Sequence, residues 1–249
     1  MYQGEPMKIL CIIPSRIQST RLPRKPLLPI QGKPMIQWVY ENAARTPILH
    51  DVIVATDSLE ISELITQIGG KAILTDPNIP TGTDRVAHVA ENMLDADVII
   101  NLQGDEPFIK PSMLHTLVSP YLEGDNPEMT TLAFPLDKEH YNNPGAVKVV
   151  TDLKSNALYF SRAPIPYYRS ENKSTSVYHH MGLYAFRRDF LMRYKNLPQT
   201  PLEQIENLEQ LRALEHGYQI RVCISNEKTL EINTPEEYDY AQQFIYNLT

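Results

Sequence analysis

The residues best equipped for chemistry lie together near the N-terminus. Residues 14–26 carry Arg16, Arg21, Arg24 and Lys25, interleaved with Ser15, Ser19 and Thr20, and residues 7–40 contain no aspartate or glutamate. The chain as a whole has 249 residues and a net charge of -7. A cationic island in an acidic protein answers to the charge of a ligand more than to the needs of the fold. Guanidinium forks, a lysine point charge and hydroxyl donors suit a polyphosphate. A solvated basic loop is the competing reading. The position of this loop, directly after the apolar run 9–13, argues against it, because ligands of open α/β sheets collect beyond the carboxyl ends of strands.

The second candidate is Asp105, on a turn with Gly104 and Pro107 just past the apolar run 98–102. A carboxylate repels phosphates unless a cation lies between them, and Mg²⁺ takes one or two carboxylates together with phosphate oxygens. Asp105 therefore reads as a metal ligand, with a turn carboxylate capping the next helix as the alternative. Glu106 reads as an orienting or solvated neighbour. The 10 glycines form no Gly-x-Gly pattern and no P-loop, so any phosphates must be held by side chains.

The elements that position these residues follow from apolar spacing. Short β-branched runs at 9–13, 52–55, 72–74 and 98–102 alternate with helical patterns at 35–44, 61–68 and from Thr83 to about 93. Pro34 suits the first turn of the first helix, and Thr83 reads as the N-cap of the third. Strand and helix in alternation predict βαβ units and a mainly parallel sheet. Beyond residue 124 the pattern changes to strands at 129–134, 147–150, 157–161 and 181–186, with polar loops at 137–144 and 170–176. A helix over 201–216, a strand over 220–224 and a terminal helix from Thr234-Pro235 complete it. This divides the chain into a nucleotide-binding part, 1–124, and a mixed-sheet part, 125–249, that closes back on the sheet as one integrated domain.

Composition excludes several classes. At 21% charged residues and a negative net charge this is not a nucleic-acid-binding composition. No run approaches the length of a membrane span, and residues 1–7 lack the pattern of a secretory signal. Cys11 and Cys223 sit in apolar runs, as buried thiols of a reducing cytoplasm do. There is no paired-cysteine or His-Glu-x-x-His zinc motif.

The ordered motifs resemble a known family. Pro14-Ser15-Arg16, Ser19-Thr20-Arg21-Leu22-Pro23, Lys25-Pro26, Gly32-Lys33-Pro34-Met35-Ile36, Val54-Ala55-Thr56-Asp57, Gly82-Thr83-Asp84-Arg85 and Asn101-Leu102-Gln103-Gly104-Asp105-Glu106-Pro107 resemble those of the CMP-Kdo synthetases (3-deoxy-manno-octulosonate cytidylyltransferases). So do Val147-Lys148-Val149-Val150, Ala157-Leu158-Tyr159-Phe160-Ser161-Arg162, His180-Met181-Gly182-Leu183-Tyr184 and Leu208-Glu209-Gln210-Leu211-Arg212. The resemblance spans nearly the whole chain in the family's order. It implies a Rossmann-like α/β nucleotide-diphospho-sugar transferase fold and a homodimer. It also implies transfer of CMP from CTP to Kdo with Mg²⁺, for lipopolysaccharide synthesis.

By that resemblance Arg16, Arg21 and Lys25 hold the triphosphate, with Pro14, Ser15, Ser19, Gly82, Thr83, Arg85 and Gln103 along the nucleotide. Asp105 and Asn233 hold metal, and Arg162, His180, Tyr184, Glu209 and Gln210 hold the sugar acid. On the residues alone Tyr184 reads equally as core, His180 as structural, and Glu209 as a surface partner of Arg212. Two positions depart from the family, which has glycine at Arg24 and aspartate at Asn233. Asn233 brings no charge to a metal, and Glu231 stands two residues away as a substitute. A cytidylyltransferase for a related sugar acid stays open because the basic loop reads phosphates and not the acceptor, and the two departures leave a weakened nucleotide-binding homologue as a third reading.

Overall fold

A strand buried at every position begins the fold: β1 (Ile9–Ser15), whose apolar side chains contribute about 1.5–3 kcal/mol each on full burial. It belongs to a computed structural model that describes residues 7–19, 21–169 and 177–244. Residues 1–6, Thr20 and the loop read at 170–176 lie outside the described residues.

Two compact units are present. One is built from the chain up to His115 and from Thr229 onward, the other from Thr116–Lys228. The division thus falls inside a helix near 115 and again at 228, not at 124. The physical reason for the return is burial, since Ile232 and Ala241 pack in one apolar cluster with Leu22, Ile30, Met35 and Phe108.

In the first unit, β1 leads into a 3₁₀ turn (Lys25–Leu27) and a small hairpin of β2 (Pro29–Ile30) and β3 (Lys33–Pro34). Next come α1 (Met35–Ala44), β4 (Asp51–Thr56), α2 (Leu59–Gln67), β5 (Lys71–Leu74), α3 (Gly82–Ala90) and β6 (Val98–Asn101). The strands pair in the order β6-β1-β4-β5, all parallel, as alternating strand and helix require. The N-cap of α3 is Thr81, whose hydroxyl accepts from Asp84 N at 3.0 Å, not Thr83. Thr83 lies inside the first turn, buried, and accepts from Asn101 Nδ2 at 3.0 Å. Pro34 is the N-cap of α1, one place before the first turn.

The chain continues through α4 (Pro111–Leu122), which the sequence reading did not place. Its signal is present in Met113, Leu114, Leu117, Val118 and Tyr121, a buried helical stripe interrupted by Pro120 near its end. The second unit then holds β7 (Met129–Pro135), β8 (Lys148–Thr151), β9 (Ala157–Ser161), β10 (Tyr178–Arg187), α5 (Arg188–Tyr194), α6 (Pro201–Glu206), α7 (Leu211–Glu215) and β11 (Ile220–Ile224). Its sheet is mixed: β11 runs parallel to β7, while β7–β10, β10–β8 and β8–β9 are antiparallel. The single helix expected over 201–216 is two helices. Asn207 adopts a left-handed conformation (φ 51°) and ends α6, a geometry that asparagine tolerates. Leu208 is buried inside the break, so the apolar period survives although the helix does not.

The final helix, α8 (Pro235–Phe244), returns to the first unit. Thr234 and Glu237 cap it reciprocally: Glu237 N donates to Thr234 Oγ1 at 3.2 Å, and Thr234 N to Glu237 Oε2 at 3.0 Å.

Candidate active site

At the carboxyl end of β1, a cavity of about 330 Å³ is lined by Pro14, Ser15, Arg16, Gln18, Ser19, Arg21, Lys25, Pro26, Gln103, Gly104 and Asp105. The basic loop and the turn after β6 meet here because Gly104 lets the turn approach closely. A Cβ on Gly104 would lie 3.1 Å from the carbonyl oxygen of Pro14, tighter than ordinary contact. Asp57, at the end of β4, fixes the loop by accepting from Ile17 N at 3.0 Å. The Arg16 guanidinium donates to the carbonyl of Ile79, and Ser19 Oγ accepts from Leu22 N at 3.4 Å. The buried hydroxyl of Ser15 has no hydrogen-bond partner.

The centre of the site is Lys25. Its ammonium donates to Asp105 Oδ2 at 2.6 Å, to the Ile232 carbonyl at 3.0 Å and to Asn233 Oδ1 at 3.2 Å. Arg21 Nη2 reaches the same Asn233 oxygen at 3.4 Å. Ile232 N donates to the Asp105 carbonyl at 3.1 Å, which ties the C-terminal segment to the turn. Asn233 Nδ2 donates to Glu231, so Glu231 lies beside the two expected metal ligands. Burial, then the charges of Glu231 and Asp105, hold the Glu106 carboxyl well above the usual range. Lost hydration and the charge of Asp105 likewise raise Glu231.

A divalent cation fits this donor set. Asp105 Oδ1 is buried without a hydrogen-bond partner, and the oxygens of Asp105, Asn233 and Ile232 converge on one cation already. Among the described residues no three His, Cys, Asp or Glu side chains gather into a metal-binding group. A site of one carboxylate and neutral oxygens suits a cation that takes its remaining ligands from water and phosphate.

Arg24 adopts the left-handed conformation (φ 56°) that a glycine would adopt freely. Its guanidinium pairs with Glu60 on α2. Gly82 lies near Pro14 and Gln103, where a Cβ would contact both. Arg85 is fully buried and lines no part of the described cavity. Its guanidinium donates to Thr75 Oγ1 and lies 3.8 Å from Asp57, and desolvation lowers its pKa.

In the second unit the residues expected at a sugar acid fall into two networks. The buried chain Thr131, His180, Gln210 and Tyr184 is linked by His180 Nε2 to Thr131 Oγ1 at 2.9 Å, Gln210 Nε2 to His180 Nδ1 at 3.4 Å, and Tyr184 OH donating to Gln210 Oε1 at 3.0 Å. Burial and the neighbouring His179 lower the His180 pKa to about 3. A register shift in β10 between Met181 and Tyr184 sets this arrangement, and both carbonyls of the irregular stretch, Met181 and Leu183, face the Thr131 hydroxyl. Arg162 belongs to the other network. It donates to the carbonyls of Glu206 (2.8 Å), Pro144 (3.2 Å) and Asn207 (3.3 Å), capping α6 where it breaks. Glu209 is half-buried, its carbonyl accepting from Tyr194 OH at 2.7 Å. Arg212 pairs with Glu203 at 2.5 Å, both side chains buried.

Sequence reasoning missed Gln18 and Gly104 in the cavity wall, Asp57 beneath the loop, and Thr131 behind His180. Gly104 and Asp57 stand inside the quoted motifs and Gln18 inside the basic loop, without a role assigned to them there, and no spacing singles out Thr131.

A parallel α/β unit whose first strand opens into a basic cavity is the arrangement of a nucleotide-binding protein. Comparison with known proteins narrows the class: residues 10–224 match the Cytidylyltransferase family model, and the chain belongs to that family. It is 53% identical over 240 residues to a 3-deoxy-manno-octulosonate cytidylyltransferase of Acaryochloris marina (strain MBIC 11017), covering 96% of this chain and 98% of the relative. It is 50% identical over 236 residues to the same-named protein of Synechococcus elongatus (strain ATCC 33912 / PCC 7942 / FACHB-805), covering 94% and 97%. A solved CMP:2-keto-3-deoxy-manno-octonic acid synthetase complexed with CTP superposes with a TM-score of 0.92 at 40% identity, over 97% of this chain and 100% of that one.

Proposed function

We propose that this chain joins CTP and Kdo to give CMP-Kdo and pyrophosphate. The observation that carries the reading is that Lys25, in the wall of a cavity lined by the basic loop and Asp105, bonds both Asp105 and Asn233. Arg16, Arg21 and Lys25 bind the triphosphate and neutralise the leaving pyrophosphate. Ser15, Ser19 and Gln103 donate along the nucleotide, and Pro14 and Gly82 shape its bed. The oxygen of the sugar's anomeric hydroxyl forms a bond to the α-phosphorus as the α–β bridging P–O bond breaks; pyrophosphate leaves with the bridging oxygen, and the hydroxyl proton passes to water. Such a step is mostly positioning and charge neutralisation, which basic side chains supply. Asp105 and Asn233 would hold Mg²⁺, which when bound neutralises phosphate charge and acidifies the attacking hydroxyl.

Tyr184, Gln210 and His180 orient the hydroxyls of the sugar acid, with Glu209 beside them. Arg85 and Thr83 hold the start of α3 from below. Arg162 serves the sugar acid through the backbone it caps. CTP is a cytoplasmic nucleotide, so we place the reaction in the cytoplasm, with its product used in lipopolysaccharide synthesis. Among the described residues no helix is long and apolar enough to cross a membrane. A homodimer is the assembly that the family resemblance implies, and light scattering would test it.

The test of the reaction is to supply CTP, Mg²⁺ and Kdo and to measure both products. Equal amounts of CMP-Kdo and pyrophosphate are expected. Competition with an amino-substituted octulosonate or a nonulosonate at equal concentration decides the acceptor, and absence of any CMP-sugar contradicts the proposal.

A further inference from the structure

Lysine carries three N–H donors and no acceptor. In Lys25 all three are matched by oxygens: Asp105 Oδ2 at 2.6 Å, Ile232 O at 3.0 Å and Asn233 Oδ1 at 3.2 Å. A carboxylate, a peptide carbonyl and an amide carbonyl are also the ligand types that hard divalent cations select. The ammonium therefore occupies the place at which a divalent cation would be held.

The cage does not depend on the lysine for its shape. Ile232 N is bonded to the Asp105 carbonyl at 3.1 Å, and Asn233 N to Glu237 Oε2 at 2.6 Å. Asn233 Nδ2 is bonded to Glu231, which orients the amide oxygen toward the cage. Outside the cage the lysine is held by its backbone, where Lys25 N donates to Leu22 O at 3.1 Å and Leu28 N to Lys25 O at 3.1 Å. Its four-carbon stem leaves the ammonium free to move without disturbing the turn. Asp105 Oδ1, buried and without a hydrogen-bond partner, keeps an acceptor that the lysine does not use.

We propose that Lys25 is a tethered counter-ion that fills the cation cage in the nucleotide-free protein and vacates it when a metal-bound triphosphate enters. Two cations cannot share three oxygens, so metal and ammonium exclude each other. A triphosphate resolves the competition by offering the ammonium new oxygens while the metal takes the old ones. The lysine is thus a phosphate ligand in one state and a metal surrogate in the other. Free metal binds poorly, and metal and CTP bind with positive coupling. The proposal rests on the reading above that a metal–triphosphate is the entering ligand.

The test is Mn²⁺ titration by electron paramagnetic resonance, without and with CTP, on the wild type, Lys25→Met and Lys25→Met/Asp105→Asn. Without nucleotide, Lys25→Met is expected to bind Mn²⁺ at least about tenfold more tightly than the wild type, since the competing charge is gone. The double variant is expected to lose that gain. Wild type and Lys25→Met binding equally, or a gain that persists without Asp105, overturns the proposal while leaving the transfer reaction to be judged by its products. Failure of every form to bind Mn²⁺ even with CTP removes the metal reading, and this proposal with it. Because Lys25→Met could unfold, lysine ¹⁵Nζ NMR of the wild type gives a second readout. The caged ammonium is expected to give a protected signal that moves with Mg²⁺–CTP and not with Mg²⁺ alone, and a signal indifferent to Mg²⁺–CTP overturns the proposal.

Discussion

Nη2 of Arg24 donates to both carboxylate oxygens of Glu60, at 2.5 and 2.6 Å. The charge that Arg24 adds to the basic loop is therefore engaged by α2. Arg24 holds a left-handed conformation that costs a non-glycine residue about 1–2 kcal/mol, whereas an exposed ion pair returns roughly 0–1 kcal/mol. Arg24→Gly is thus expected to be neutral or stabilising by about 1 kcal/mol in urea unfolding. Its turnover should stay within about threefold of wild type, a difference worth less than 1 kcal/mol. A loss beyond tenfold would place the guanidinium on the phosphates after all.

Asn233 is built into its surroundings. Its oxygen accepts from Lys25 and Arg21, and its amide nitrogen donates to Glu231. Asn233→Asp exchanges that donated hydrogen bond for a repulsion between two carboxylates, which offsets any gain in metal attraction. Steady-state rates at graded Mg²⁺ should therefore improve by no more than about threefold. A gain of tenfold or more would show that the asparagine impairs the site.

Arg162 should matter more to the fold than its place in a binding motif suggests. Arg162→Met removes the donor to the half-buried Glu206 carbonyl and to the exposed carbonyls of Asn207 and Pro144, which water can take over, at a cost of about 0.5–1.5 kcal/mol. In a chain of this size that lowers Tm by roughly 1–6 °C. The half-saturating concentration of the sugar acid should rise because Glu209 and Gln210 follow the break directly. An unchanged Tm with weakened sugar binding would make Arg162 a direct ligand.

The buried imidazole of His180 gives a pH dependence with a definite sign. Its pKa is lowered to about 3 in the folded protein, so between about 3 and the ordinary imidazole value of 6.5 the unfolded chain binds the extra proton. Stability from this group is fully present above pH 6.5 and declines as pH falls through that window, by about 1.4 kcal/mol per unit. Histidine NMR is expected to show His180 neutral down to pH 5. Titration near pH 6.5 would mean that the ring is solvated.

The fold was legible where period and punctuation agree. The strands of the first unit and α1 follow directly from β-branched runs and an amphipathic stripe, and the parallel order follows from their alternation. What escaped the sequence was local stereochemistry. Nothing in the apolar period of residues 201–216 reveals that Asn207 turns left-handed, because Leu208 preserves the pattern across the break. The Thr81 cap was displaced to Thr83 because both hydroxyls precede the same apolar stripe. Within the candidate site, charge and type pointed to Arg16, Arg21, Lys25 and Asp105, which line one cavity. That Arg24 would face Glu60 and that Arg162 would face three carbonyls depends on partners distant in sequence. No spacing rule encodes those.

The most direct measurement is a crystal structure with CTP and Mg²⁺. The triphosphate is expected in the cavity walled by Ser15, Arg16 and Gln103, with Lys25 and Arg21 on phosphate oxygens and the metal on Asp105. A nucleotide bound elsewhere, with Lys25 still paired to Asp105, would contradict it.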